Sequence, residues 1–322
     1  MKVGALSAAW SAQPLEEVLA FFAEAGLDTI ELGTGNYPGN AHCDPFELKG
    51  SKSKRDDFTG LVADHGLEIS ALSCHGNPLH PDKKVAEESH EVWRATCDLA
   101  AAIGVTCVNG FSGLPGGGPK DRVPNWVVAP WPDDHLAALE YQWDLAIDYW
   151  KRENAYADKR GINFCFEMHP NFLVYNPESM IKLREACGEQ MCANFDPSHL
   201  WWQGIEPAAA IRWLQSKGEV IKHFHAKDTM VYSWNTRVNG VLDTKPYQDE
   251  INRAWLFRTV GYGHDLALWK DIASALRLVG YDGVLSIEHE DSLMSAREGL
   301  EKAVKFLKEV VITQSPSEAY WA

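Results

Sequence analysis

One pattern of hydrophobic and polar positions recurs along the chain. A helical stretch ends at a glycine, a residue or so follows, and a short run dominated by apolar residues begins. The pattern occurs as Gly26-LDTIELG, Gly66-LEISALS, Gly104-VTCVNGF, Gly161-INFCFE and Gly280-YDGVLSIE. Glycine reads as the left-handed stop of a helix, and the run after it as a strand entering a buried sheet. Extended over the whole chain, the pattern predicts strands at 2–7, 28–33, 67–73, 105–111, 162–167, 191–196, 220–226 and 283–288. Helices are expected near 14–25, 52–64, 82–103, 134–160, 177–187, 207–216, 266–279 and 295–311. Pro14, Pro177 and Pro207 each stand at a helix start, where a missing N–H costs nothing. Strands alternating with helices imply parallel pairing and right-handed crossovers. Eight such pairs predict an α/β chain folded as a single (β/α)₈ barrel over residues 1–322. The competing doubly wound sheet lacks its G-x-G-x-x-G after the first strand.

The unequal parts are loops at 34–50, 112–133 and 229–262. All follow strands, and in such a barrel those loops build the active-site face as lids and pocket walls. GLPGGGPK at 113–120 has the glycines of an anion loop without its G-K-[ST] ending, and reads as a lid. No linker or second domain is evident. Ser315–Ala322 reads as a tail in which Tyr320 and Trp321 are candidates to dock on a neighbouring subunit of a homo-oligomer.

Composition and charge narrow the function. Thirteen Trp, ten Tyr and twelve Phe suit a core, and also a pocket that stacks on the apolar faces of sugars. A formal net charge of −15 with no basic stripe argues against nucleic acid and against an anionic membrane surface. No run approaches the roughly 20 apolar residues of a membrane span. MKVGALSAAW reads as a first strand rather than a signal peptide. Seven irregularly spaced cysteines without a C-x-x-C read as reduced, buried thiols of a cytoplasmic protein.

Four polar residues stand at or near the C-terminal ends of the last four strands: Glu167 in NFCFEMHP, Asp196 in CANFDPSH, His225 in IKHFHAKD and Glu288 in VLSIEHED. Asp196 follows Glu167 by 29 residues, and His225 follows Asp196 by another 29. One strand–helix unit each time puts them at equivalent heights on neighbouring strands. Any one alone reads equally well as a helix cap or an ion-pair partner. Together they read as a divalent metal site of three carboxylates and one imidazole, suited to Mn²⁺ first and also to Mg²⁺, Co²⁺ or Zn²⁺. His223 shares the face of His225 one layer deeper and is expected to pack beneath it. Glu290 is the substitute ligand if its strand ends later. His169 and His199 follow two of the ligands and are expected to contact substrate, as are Lys227, His75 and Trp202. Glu31, at the end of the second strand, is a further candidate contact. Arg258, in FRTVGYGHD, reads as paired to a nearby acid or as a candidate phosphate holder in contact with substrate, since barrel phosphate sites often lie in the last loops.

FEMHP, FDPSH, H-x-H-x-K-D and SIEHED, in this order, resemble the four ligand segments of the xylose isomerase-like barrels. These are the sugar phosphate isomerases/epimerases, which include ketose 3-epimerases and inosose dehydratase. The resemblance covers nearly the whole chain and is strongest from Gly161 to Asp291. It implies Glu167, Asp196, His225 and Glu288 as metal ligands. It also implies Glu167 and Glu288 as the acid/base pair and His199 as a substrate-binding histidine. The chain departs from the 3-epimerases after the histidine strand. HAKDTMVYSW stands where they carry H-x-G-E-x-x-R, and Lys227 and Asp228 look more like the inosose-dehydratase branch.

The chemistry expected of this set is removal of a proton next to a carbonyl, through an enediolate-like intermediate that a chelating metal stabilises. Return of the proton to the opposite face epimerises, and return to the neighbouring carbon isomerises. Loss of a β-substituent makes the enzyme a lyase, either inosose dehydratase-like or keto-glycoside-cleaving. A sugar isomerase or epimerase is the first expectation and the lyase the second. The related abasic-site DNA endonuclease needs more histidine ligands and a basic face. A non-catalytic sugar-binding protein has no use for four metal ligands.

Overall fold

The computed structural model describes residues 1–318 and 321; Tyr320 lies outside them, and Trp321 is exposed. Ten strands run in chain order: β1 (Lys2–Leu6), β2 (Thr29–Gly33), β3 (Glu68–Ser73), β4 (Cys107–Gly110), β5 (Asn163–Glu167), β6 (Met191–Phe195), β7 (Ile221–Ala226), β8 (Asp228–Val231), β9 (Trp255–Arg258) and β10 (Val284–Ile287). Eight of them close a parallel barrel in the order β1-β10-β7-β6-β5-β4-β3-β2. This is the expected (β/α)₈ barrel, with strand ends within two residues of those read from the sequence. Each barrel strand is flanked by helix on its outer side and by the barrel lumen on its inner side, so its residues are buried on both faces and read as near-continuous apolar runs. β2 and β6 are buried at every position.

The outer core is aromatic on one side. Trp150 and Trp93, from helices Asp133–Asp158 and Lys83–Ile103, pack with Phe164 and Phe166 of β5 at centroid separations of 4.2–6.1 Å. Their indole N–H groups donate to Ser112 O and Glu153 Oε2, both at 2.8 Å. All seven cysteines are free and buried, and Cys107, Cys165 and Cys192 cluster with Ala71. Reduced thiols there serve as small apolar fillers. Among the described residues no helix is long and apolar enough to cross a membrane.

The chain enters helix Pro177–Cys187 through a capping box. Asn176 Oδ1 accepts from Ser179 N at 2.9 Å, and Ser179 Oγ faces Asn176 N at 3.1 Å. This helix leads into β6 and so sets where Asp196 emerges. Asn176→Ala should cost about 1 kcal/mol of unfolding free energy, measured by chemical denaturation. A neutral result would mean that the cap contributes nothing in this context.

The span 229–262, expected as loop, is ordered. β8 and β9 form a two-stranded antiparallel ribbon, with Asp228 opposite Arg258 and Val231 opposite Trp255. Helix Ser233–Asn239 lies between them. The four-residue strands DTMV and WLFR follow no barrel period, which is why the sequence hides them. Asp228, fully buried, fastens the ribbon to the barrel. Its Oδ2 accepts from the backbone N–H of Gly261, Gly263 and His264 at 3.0–3.1 Å and from Trp269 Nε1 at 3.1 Å. Its Oδ1 lies 2.7 Å from His264 Nδ1. A Cβ on Gly263 would stand 2.4 Å from that oxygen, so only glycine lets the backbone approach so closely.

Candidate metal centre

Each of the four sequence-predicted ligands reaches the centre from the end of its strand. Glu167 is the last residue of β5, and His225 lies near the end of β7. Asp196 directly follows β6 and caps the short helix Pro197–Trp201, with Oδ1 accepting from Ser198 N at 2.8 Å. Glu288 directly follows β10. The ligand atoms of these four residues lie within 4.8 Å of one another.

The atoms left over are those a cation would use. Oδ2 of Asp196 and Nδ1 of His225 are shut off from solvent and make no well-formed hydrogen bond; Asp196 Oδ2 has only ion-pair contacts, with Lys227 at 3.1 Å and His199 at 3.4 Å. His225 Nδ1 lies 3.3 Å from Glu167 Oε2 and 3.2 Å from Glu288 Oε2. Two other groups have comparable spacing, Glu31–His223–His225 and Glu167–His169–His199. His223 Nε2 is unpartnered, but the carboxylate and the other ring are engaged: Glu31 accepts from Asn109 Nδ2 and Ser286 Oγ, and His169 Nδ1 faces Pro170 O. The residues therefore fit one divalent cation at the four-residue group.

Glu31 explains the orientation of His225. It is fully buried beneath the centre, and His225 Nε2 lies 2.9 and 3.1 Å from its two oxygens. Donation from Nε2–H leaves the Nδ1 lone pair free toward the other ligands. Burial alone would raise the pKa of Glu31, but His225 and His223 hold it well below the usual carboxylate range. The expectation that Glu31 contacts substrate is thus corrected, because its carboxylate is occupied below the floor of the cavity. His223 packs there too, with Nδ1 3.0 Å from Asn194 Oδ1. Glu31→Gln should weaken divalent-metal affinity about 10–100-fold with the fold intact, read by calorimetric titration. Unchanged affinity would remove Glu31 from this role.

The electrostatics call for positive charge. Lys227, buried, lies 2.6 Å from Glu288 Oε2, 2.9 Å from Glu290 Oε2 and 3.1 Å from Asp196 Oδ2. Burial would lower its pKa, but these carboxylates hold it well above its ordinary value. It is the one ammonium among Glu31, Glu167, Asp196, Glu288 and Glu290, so formal negative charge remains in excess. Glu167 receives a hydrogen bond from His199 Nε2 at 2.7 Å, and His75 Nε2 stands 3.1 Å away. Burial opposes its ionisation, but His199, His225 and His75 outweigh it and hold the carboxyl well below its ordinary value. Glu288 is likewise lowered to about 2, against burial, by Lys227 and His225. Burial and the neighbouring His199 push His169 down to about 3, so its ring is neutral.

Above the centre opens a cavity of about 500 Å³. Glu167, Glu288, His75, His169 and Lys227 line its polar side; Phe111, Phe172, Leu256 and Phe257 form an apolar wall. Tyr37, Asn77, Glu290 and Tyr247 complete it. Of the other expected substrate contacts, His199 stands behind Glu167 and borders a second, smaller cleft, as does Trp202, stacked on Trp255 at 4.7 Å. Arg258 lies away from the main cavity. Its Nε donates to Asp291 at 3.1–3.2 Å, so of its two readings the structure shows the ion pair, which ties the ribbon to the loop after β10, and not a phosphate contact in the cavity. Sequence reasoning missed the wall of Phe111, Phe172, Leu256, Phe257 and Tyr247. Three of these come from the span expected as loop, and no spacing rule singles out any of them.

The fold is shared with known proteins. The family model for xylose isomerase-like TIM barrels matches residues 19–310. An uncharacterised protein of Bacillus subtilis (strain 168), YfiH, is 39% identical over 302 residues, covering 92% of this chain and 95% of that protein. Among solved structures, the probable 3-DHS dehydratase AsbF, involved in petrobactin synthesis in Bacillus anthracis, superposes with a TM-score of 0.68 at 17% identity over 96% of this chain and 99% of its own. The 3-keto-D-glucoside 4-epimerase YcjR from E. coli gives 0.64 at 13% identity, with 96% and 99% covered. At such identities the solved structures speak for the fold alone, but a family match over most of the length says more. A closed parallel barrel carrying this match belongs to the xylose isomerase-like TIM-barrel family.

Proposed function

We propose that this chain is a divalent-metal-dependent isomerase or epimerase that moves a proton next to the carbonyl of a ketose or keto-sugar. The observation that carries the reading is the convergence of Glu167, Asp196, His225 and Glu288 on the floor of an aromatic-walled cavity. Those four residues would hold the cation, Mn²⁺ by preference, which when bound supplies positive charge to oxygens that become negative during proton removal.

The chain's own groups do the rest. Glu167 and Glu288 both border the cavity and both are held ionised, so either can accept a proton from a carbon above it. His199 and His75 orient Glu167, and Lys227 orients Glu288. Phe111, Phe172 and Phe257 keep water from the reacting face and offer surfaces to the apolar side of a sugar ring.

A lyase on the same scaffold is the second reading, favoured by Lys227. An ammonium inside the cavity beside Glu288 and Glu290 can protonate a departing oxygen. The similar barrels include both a probable dehydratase and an epimerase. The Mn²⁺-loaded protein, incubated in D₂O with ketoses, keto-glycosides and inososes and followed by NMR, separates the two. Deuterium uptake without loss of mass supports the isomerase or epimerase. Release of water or an aglycone supports the lyase. No exchange with any carbonyl sugar sinks both.

A further inference from the structure

A second cleft of about 360 Å³ adjoins the main cavity, and the two share His169, Tyr247 and Phe257. Its lining is aromatic: Trp202 stacks on Trp255 with their rings 8° from parallel, and Trp126 packs against this cluster. Arg253 backs the wall. The Arg253 guanidinium, buried, lies 4.4 Å from the Tyr247 ring and 4.7 Å from the Trp255 ring, and it donates to Trp255 O at 3.2 Å. The rim is polar, with Asp243, Thr244 and Lys245. Aromatic faces beside a polar rim are what a sugar ring requires. Its C–H faces stack while its hydroxyls bond outward.

We propose that this cleft is a second subsite that holds a pyranose ring joined to the reacting sugar, so that the substrate is a keto-glycoside of at least two rings rather than a free ketose. The proposal rests on the keto-sugar reading of the main cavity. Because the two cavities meet at His169, Tyr247 and Phe257, a ring seated over Glu167 and Glu288 extends its substituent past these residues and onto the tryptophan-lined surface.

The test is calorimetric titration of the Mn²⁺-loaded protein with methyl α-glucoside and methyl α-maltoside. Neither has a free carbonyl, so binding is read without turnover. The maltoside is expected to bind about tenfold more tightly, equivalent to about 1.4 kcal/mol. In Trp126→Ala its affinity should fall to that of the glucoside. Trp126→Phe, which keeps a ring, should retain most of the preference and stands in if the alanine variant fails to fold. Equal affinities in the native protein, or an equal loss for both sugars in Trp126→Ala, overturn the subsite. A phenyl glucoside that binds more tightly than the maltoside also overturns it, in favour of an aryl group. A preserved maltoside preference with no exchange on any keto-disaccharide in D₂O leaves the subsite standing and removes the catalytic reading instead.

Discussion

Glu167→Gln is expected to lower kcat by about 10²–10⁴-fold, and Glu288→Gln by the same order, since each change removes a base that a neutral amide cannot replace. The amide matches the carboxylate in shape, so the cavity keeps its volume and His199 keeps an acceptor. Two effects then need separating, because both residues also stand in the metal group. Saturating Mn²⁺ removes the affinity component, and the remaining loss is that of proton transfer. Deuterium uptake at the carbon next to the carbonyl, followed by NMR from each epimer in turn, assigns the faces. If the two carboxylates serve opposite faces, Glu167→Gln abolishes uptake from one epimer and Glu288→Gln from the other. Either variant turning over at the native rate under saturating metal removes that residue from the acid/base pair.

Asp228→Ala should be the most damaging single change outside the metal centre. Four backbone N–H groups (Thr229, Gly261, Gly263 and His264), the Trp269 indole and the His264 ring converge on its carboxylate. Truncation leaves these buried donors without an acceptor, at about 1–3 kcal/mol for each one that water cannot reach. A total loss of more than about 3 kcal/mol is expected, seen as a drop of roughly 5–10 °C in Tm. Asp228→Asn should fall between, because one of its two oxygens becomes a donor. A native Tm for Asp228→Ala would mean that the ribbon is held by its apolar contacts alone.

The metal group was legible because its signal is a spacing. One strand–helix unit of chain returns to the same height, so residues far apart in sequence fall together by repetition. Glu31 was visible as a strand-end acid, but its role was not. Whether such an acid faces the cavity or the floor depends on what accepts it, and here His225, Ser286 and Asn109 claim its oxygens from strands 78 to 255 residues away in sequence. For Arg258 pairing to an acid was one of two readings, but the partner was not legible: Asp291 lies 33 residues on, and no local pattern announces an ion pair of that reach. The β8–β9 ribbon was hidden because its two strands are four residues long and separated by a helix-bearing excursion. The barrel strands, by contrast, were legible to within two residues because burial on both faces and the glycine stops mark each of them.

The ribbon carries Leu256 and Phe257 in the main cavity, with Tyr247 in the excursion between its strands. The metal group, by contrast, grows from the barrel itself. Part of the cavity wall and the candidate metal group thus come from different stretches of chain. A relative could exchange the segment between Thr229 and Val260 like an interchangeable cartridge, reshaping one side of the cavity while the four candidate ligands stay on their strands. Chimeras cut at those points, with the Asp228 fastening retained, are the natural place to begin redirecting this scaffold.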